Sequence, residues 1–562
     1  MSKIVNKTQE ILKNKINEAF ELAVKNGELP KAEVPEFIIE VPANKANGDY
    51  SSNAAMAGAR SFRKAPRMIA ESLVKYIDLT DTLFERVEIA GAGFLNFFLS
   101  QRFFGEILKD VIACGDDYGK SDYGQGKRVL VEFVSANPTG PMHIGNARGG
   151  AIGDCLASVL DWAGFDVSRE FYVNDAGNQI EKFATSLEVR YLQHFDSSVE
   201  MPEDAYHGQD ITDHAEAFIA ENGEKYVNTS SEERRKALVD FALPKNIEGL
   251  ERDLGRYRIT YDKWFRESSL HNDGSVERVI DALKEKGVTY EMDGALWFKA
   301  SQFGNDKDIV LIRANGLPTY IVPDIAYHYN KLVTRGFDKA IDVLGADHHG
   351  YIARMKAALT ALGLDASRLD IVIMQMVRLV RDGETIKLSK RSGKAITLNT
   401  LIDEVPLDAA RFFFNLREPN SHFDFDLELA AKQSSENPVY YVQYAHARIC
   451  SILKKAQEQG IDLRTPSDDE LALLSSEEER DLIRHLASLT GEVVSAAKAY
   501  DPAKITHYVI ELATLFHKFY NAHRVIVDDE GLMAARLYLC KAVRDTIKNI
   551  LEMLKITAPQ TM

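Results

Sequence analysis

Cysteine is scarce in this 562-residue chain: Cys114, Cys155, Cys450 and Cys540 stand singly, with no CxxC pair. This excludes a disulfide framework and a zinc site built on paired cysteines, and it predicts four buried, reduced thiols. Long apolar runs are missing as well. The first twenty residues, MSKIVNKTQEILKNKINEAF, hold no secretory core and no later stretch approaches a membrane span, so a cytoplasmic protein that does not engage membranes is expected. Positive charge is in deficit, with 68 Lys and Arg against 84 Asp and Glu and a net charge of −16. That argues against indiscriminate binding to polyanions, while leaving room for an RNA partner held by local basic patches. Internal repeats and low-complexity tracts are absent too.

What is present is ordinary globular composition, 45% hydrophobic and 27% charged, in a chain too long for one domain. Residues 1–115 read as a small α+β module, with helical periodicity around Ile11, Ile16 and Phe20 and strand candidates at Phe37–Val41 and Gly91–Phe98. A polar linker at 117–126 places a boundary near 116. Lys127–Val134 then reads as a buried strand, Asn146–Ala163 as a helix and Phe165–Val173 as a second strand, a βαβ unit that predicts a parallel sheet with a ligand at its strand ends. Further strands are expected at Ala340–Leu344 and Ile371–Met374. The charged, helical stretch of about 185–290 reads as an insertion, 401–436 as a connecting stem, and 437–562 as an all-α domain.

Two segments carry phosphate chemistry. Pro138 to Gly150 contains His143-Ile-Gly145-Asn146 between a strand and a helix start, where backbone N–H groups and the helix dipole attract anions and glycines admit a ligand close to the main chain. His143 can donate to a phosphate oxygen as charge develops. Alone, the segment reads equally as a Pro/Gly turn. Gly383 to Gly393 holds Lys387-Leu-Ser389-Lys390-Arg391, cations able to offset charge on a leaving pyrophosphate in a loop that glycines let close. Alone, it reads as a solvated basic turn. A Walker loop at Gly115–Ser121 fails, because Cys114 stands where its first glycine belongs. Asp347-His348-His349 reads as a strand-end contact to nucleotide or substrate rather than a metal site.

Together, about 240 residues apart, the two segments resemble the paired HIGH and KMSKS signatures of class I aminoacyl-tRNA synthetases. The second is well kept; the first has Asn146 where a second histidine is usual, and an asparagine can still donate a hydrogen bond. Selection of a guanidinium requires acceptors set around a rigid fork of donors. Tyr320 and Asp324, four residues apart, would share one helical face, and their segment Leu317–Tyr327 resembles the arginine-binding segment of arginyl-tRNA synthetases. Glu132, Ser135 and Asn137 match positions that hold arginine in that family, and Tyr172–Gln179 resembles its strand-end segment after the first crossover. Gly48–Asn53 resembles part of the family's N-terminal module, and Asn437–Arg448 the entry to its anticodon-binding domain.

The resemblance implies an α/β multidomain protein with a Rossmann-like parallel-sheet catalytic domain at 116–400, an inserted helical subdomain, a small α+β N-terminal domain and an all-α C-terminal domain. It implies ATP as substrate with Mg2+ accompanying it, no tightly bound metal, and arginine and arginine tRNA as partners. Arginine would be activated to its adenylate, then passed to the terminal adenosine by 2′-hydroxyl attack, with bound tRNA needed for activation. Catalysis falls to His143, Lys387 and Lys390; ATP binding to these and Gly145, Asn146, Gly345, Asp347 and Ser389; arginine binding to Glu132, Ser135, Asn137, Tyr320, Asp324 and His348; and tRNA binding to Asn53, Tyr441, Tyr444 and Arg448. Three tRNA-contacting regions in one chain favour a monomer. The alternatives are a synthetase for another amino acid and an RNA-binding protein that has lost the chemistry.

Overall fold

The computed structural model describes residues 3–346, 349–386 and 396–562. At the N-terminus, helices α1 (Lys3–Lys25), α2 (Ala54–Phe62) and α3 (Pro66–Tyr76) pack on an antiparallel sheet of order β1-β2-β4-β3, made of β1 (Ile39–Glu40), β2 (Tyr50–Ser52), β3 (Phe84–Ala90) and β4 (Phe94–Leu99). The strand expected at 37–41 shrinks to two residues because β2 offers only three to pair with and Pro42 cannot donate to a ladder. The strand expected from Gly91 starts at Phe94. Gly91–Gly93 forms the turn out of β3, where Gly93 has φ +133° and a Cβ would sit 2.9 Å from the Pro66 carbonyl oxygen.

Helix α4 (Gln101–Cys114) leads to a five-stranded parallel sheet, in spatial order β12-β11-β5-β6-β7. Its strands are β5 (Arg128–Glu132), β6 (Asp166–Val173), β7 (Lys263–Arg266), β11 (Lys339–Gly345) and β12 (Leu369–Met374). The βαβ expectation holds: β5 and β6 pair in parallel through α5 (Ile144–Trp162). Nearly every face of α5 is buried, and a Cβ at Gly153 would fall 2.3 Å from the Phe133 ring, so that glycine serves close packing on the strand end. The strand order reverses between β5 and β11, which is where an open α/β sheet offers a crevice to ligands.

The expected insertion contributes helices α6 (Asn178–Phe195), α7 (Gln209–Asn222) and α8 (Ser231–Arg256), but it also supplies β7, the edge strand of the main sheet. After α9 (Ser268–Asn272) and α10 (Ser275–Glu285) comes a small antiparallel sheet of β8 (Thr289–Met292), β9 (Ala295–Phe298) and β10 (Ile309–Ile312), which helical patterning did not foretell. Helix α11 (Ile321–Tyr329) widens at its end into a π-helical turn, Asn330–Thr334. Beyond α12 (His349–Ala361) lie β13 (Val377–Arg381), β14 (Glu384–Thr385), α13 (Leu398–Glu404), α14 (Leu407–Phe414), β15 (Phe423–Asp426) and α15 (Leu427–Ala431).

The C-terminal region is all helical, as expected: α16 (Pro438–Glu458), α17 (Asp468–Leu471), α18 (Glu477–Ala499), α19 (Ala503–Ala522) and α20 (Glu530–Met553). Helix α4 packs on α18 and α20, joining the first module to the last. A fully buried guanidinium knits the rest together: Arg411 on α14 donates to Asp154 Oδ2 on α5 (2.6 Å), to the Tyr257 carbonyl after α8 (2.9 Å) and to the Leu554 carbonyl after α20 (3.1 Å). Of the four cysteines, all free, Cys155 and Cys540 are buried as expected, whereas Cys450 is half-buried and Cys114 is exposed because it ends α4 at the surface.

Candidate active site

A cleft of about 1930 Å3 opens at the strand ends. The segment leaving β5 forms its floor, in unusual backbone: Val134 and Ser135 have φ of +68° and +41°. A β-branched residue in that region stores on the order of 1–3 kcal/mol of strain, a feature that clusters at functional sites. The strained turn is held by side chains. Ser135 Oγ donates to Glu132 Oε1 (2.9 Å) and accepts from the Tyr172 amide (3.1 Å), while Asn246 of α8 donates to the Pro138 carbonyl (2.9 Å). Ser135 and Asn137 line the cleft; Glu132 is buried and does not.

His143 caps α5. Its Nδ1 accepts from the Gly145 amide (3.1 Å), which in the neutral ring leaves the proton on Nε2, and the Asn146 Oδ1 accepts from the His143 amide (3.0 Å) in a reciprocal capping box. His143 and Asn146 both line the cleft. With its oxygen committed to the cap, Asn146 keeps its NH2 as a donor. Gly145 does not line the cleft, and a Cβ there would meet the His143 ring at 2.9 Å, so this glycine accommodates the cap.

Lys387, Ser389 and Lys390, with Asp347 and His348, lie outside the described residues. The ends of the second signature are described. On its far side Thr397 bridges to His143, the Leu398 amide donates to the Met142 carbonyl (2.9 Å), and Thr397 lines the cleft. Gly345 ends β11 beside β5 without lining the cleft.

Opposite this wall, Tyr320 precedes α11 and Asp324 lies in its first turn, and the two share the cleft-lining face that their spacing predicts. Tyr320 is 64% exposed, and its hydroxyl accepts from Arg354 (2.6 Å). The half-buried Asp324 carboxylate has no ion pair among the described residues. Burial, reinforced by the charges of Glu267 and Glu132 and only partly offset by Lys331, pushes its carboxyl up to about 8. Glu267, which follows β7, is a second cleft acid whose carboxyl is raised by burial; His271 Nε2 lies 3.6 Å from it.

Sequence reasoning missed Glu267, His271 and Arg313 in this cleft, as well as the wall of Tyr206–Asp210 from the insertion, while Tyr172 lies in the strand-end segment that the resemblance singled out. Glu267 was legible only by recognising that β7, inside the helical insertion, ends at the same edge as β5 and β6.

The remaining predicted residues fall in two other places. Asn53 is half-buried and its Oδ1 accepts from the Ile38 amide (3.0 Å), while its neighbour Asp49 accepts from Arg484 of α18 (2.6 Å), so this segment also ties the first module to the last. On α16, Tyr444 and Arg448 line a cavity of about 330 Å3 with Lys455 and Tyr520. The Arg448 guanidinium lies 4.2 Å from the Tyr520 ring centroid and donates to the Tyr444 hydroxyl (2.7 Å). Tyr441 is set back against His517, with centroids 4.9 Å apart.

Comparison with known proteins agrees with this arrangement part by part. Residues 6–99 match the arginyl tRNA synthetase N terminal domain, 108–449 the tRNA synthetases class I (R) catalytic domain, and 442–562 the DALR anticodon binding domain. The chain is 55% identical over 562 residues to the arginine–tRNA ligase of Caldanaerobacter subterraneus subsp. tengcongensis, covering 100% of both chains. It is 52% identical to that of Acetivibrio thermocellus, covering 100% of this chain and 99% of the relative. A solved Thermus thermophilus arginyl-tRNA synthetase, 23% identical, superposes with a TM-score of 0.73 over 98% of this chain and 100% of the other. A cleft at the ends of β5, β6 and β7, a capped His143 bridged to Thr397, and three successive family matches along one chain lead to a single assignment: the chain belongs to the arginyl-tRNA synthetases of class I.

Proposed function

We infer that the chain activates arginine with ATP and transfers it to the 3′-terminal adenosine of its tRNA. The observation that carries this reading is the pairing, in one cleft, of a cation-seeking end at Asp324 with an anion-seeking end at the start of α5. Arginine seats its guanidinium toward Asp324, Tyr320 and Glu132, while Ser135 and Asn137 hold it from the end of β5 and His348 completes the set. Its carboxylate then meets the α-phosphate of ATP, and Mg2+ enters with the nucleotide.

His143 Nε2, the Asn146 amide, Lys387 and Lys390 stabilise the charge that builds on the phosphates, with Gly145, Gly345, Asp347 and Ser389 shaping the nucleotide seat. Positioning and electrostatics supply the acceleration, so no side chain need become covalently modified. Tyr444 and Arg448 offer stacking and charge to an RNA loop, supported by Tyr441, and Asn53 belongs to the surface that meets the tRNA further up. We place the protein in the cytoplasm, acting as a monomer with domains divided near 116, 401 and 437.

The test is a charging screen: purified protein, ATP-Mg2+ and unfractionated tRNA with each of the standard amino acids. Arginine alone should be joined to tRNA, with AMP and pyrophosphate released. Charging with another amino acid, or none at all, overturns the reading.

A further inference from the structure

Glu132 and Asp342 stand directly opposite each other on the neighbouring central strands β5 and β11, both buried. Two carboxylates side by side in a sheet interior repel each other and lose hydration, an arrangement that persists only with a counter-charge. The counter-charge is Lys331. Its ammonium, wholly shielded from solvent, lies 2.5 Å from Glu132 Oε2, 2.8 Å from Asp342 Oδ1 and 4.2 Å from the Tyr327 ring centroid. Its three donors are thus matched by two carboxylates and a ring face. Asp342 spends its other oxygen on His328 Nε2 (2.7 Å), and Glu132 spends its other oxygen on Ser135 Oγ.

The placement is a product of α11. Asp324, His328 and Lys331 follow one another at spacings of four and three, a single helical face, and the π-helical turn that begins at Asn330 carries Lys331 beneath the helix that presents Asp324 to the cleft. A continuous chain of polar contacts therefore runs from Asp342 through Lys331, Glu132 and Ser135 to the Tyr172 amide, crossing β11, β5 and β6 directly under the cleft floor. Burial works against the charge on both Lys331 and Asp342, but their mutual attraction outweighs it, so Lys331 is held above and Asp342 below its ordinary range.

We propose that Lys331 is a positioning residue for the amino-acid substrate: an internal cation that holds the Glu132 carboxylate against Asp342 and thereby sets the strained Ser135 turn on which arginine sits. A carboxylate oxygen can accept more than one hydrogen bond, so Glu132 keeps acceptor capacity for a guanidinium while Lys331 and Ser135 fix its plane. Lys331 itself touches no substrate. The inference rests on the assignment of Glu132 to arginine made above.

The test is aminoacylation kinetics of the full chain with Lys331→Met, Glu132→Gln and the double variant, at saturating tRNA. Glu132→Gln should raise the KM for arginine and leave that for ATP within about twofold; Lys331→Met should do the same, raising the arginine KM about tenfold, the worth of one charge-assisted hydrogen bond. Because both substitutions disable one element, the double variant should be no worse than the weaker single one, rather than the product of the two. Lys331→Met losses shared equally by arginine and ATP, an unchanged arginine KM, or multiplying losses in the double variant would each overturn the proposal. If Glu132→Gln alone leaves the arginine KM unchanged, the assignment of Glu132 fails and takes the proposal with it; if only Lys331→Met is silent, the proposal fails and the assignment stands. Should Lys331→Met not fold by circular dichroism, Lys331→Gln, which keeps a donor without the charge, is read against the same outcomes.

Discussion

Asp154 and Asp324 are both acids set into the protein's interior, and they have opposite company. Asp154, buried in α5, receives Arg411 at 2.6 Å and Arg169 at 3.1 Å. Asp324, half-buried at the cleft, has Glu267 and Glu132 for neighbours and no ion pair among the described residues. Among the described residues, the chain supplies guanidinium groups to the first and none to the second. An acid answered by two arginines of its own chain is a joint; one left facing a cleft among other acids is a seat for a cation from outside. That the family's substrate is itself a guanidinium makes the contrast specific.

The comparison breaks first at the joint. Arg411→Met leaves Asp154 short of a buried partner and two carbonyls without their donor, and should cost about 3–5 kcal/mol, read as a drop in the denaturation midpoint of the domain carrying α5. A loss below about 1 kcal/mol would mean that the joint is ornamental. At the seat the signs reverse. Asp324→Asn should leave stability unchanged or raise it by up to about 1 kcal/mol, since it replaces an acid that the folded chain must hold protonated with an amide that needs no proton. It should also raise the KM for arginine on the order of a hundredfold with the KM for ATP nearly constant, the worth of a charge-assisted bidentate contact. Equal effects on both substrates would remove Asp324 from the arginine end.

Proton linkage sharpens the same contrast at smaller amplitude. The Asp324 carboxyl stands at about 8 in the folded chain, against about 4 in an unfolded one. The native state therefore keeps a proton that the unfolded chain releases, and this group's contribution to stability falls as pH rises from about 4 to 8. Arginine binds the ionised form, so below pH 8 its binding should expel a proton and its KM should fall by up to about tenfold per pH unit as pH rises toward 8. Calorimetry in buffers of different ionisation enthalpy measures that proton directly, and Asp324→Asn should abolish it. The smallest effect lies at the mouth of α5. Asn146→Ala removes half of the capping box and should cost about 1 kcal/mol of stability, with only a modest fall in kcat.

Local patterns were readable without coordinates. The βαβ unit, the helix after His143, the shared face of Tyr320 and Asp324 and the helical C-terminal region each depend on residues a few positions apart, where periodicity and turn chemistry act. Readings failed where the deciding neighbour was remote. The helical pattern around β7 hid a strand whose edge position comes from pairing with β6, and Glu267 was hidden with it. The contact that Asn53 makes within its own module was equally out of reach, because the Ile38 amide that its oxygen accepts from lies 15 residues away.

By itself, then, the sequence determined the order of parts, the two signature segments and the face of α11 that carries Tyr320 and Asp324, because backbone geometry turns short spacings into shared faces. Only the tertiary structure decided which acids are answered and which are left open. Glu132 meets Lys331 across 199 residues and Asp154 meets Arg411 across 257. Whether a buried charge is a joint or a binding site depends on what the fold brings within hydrogen-bonding distance of it, and no local spacing carries that information.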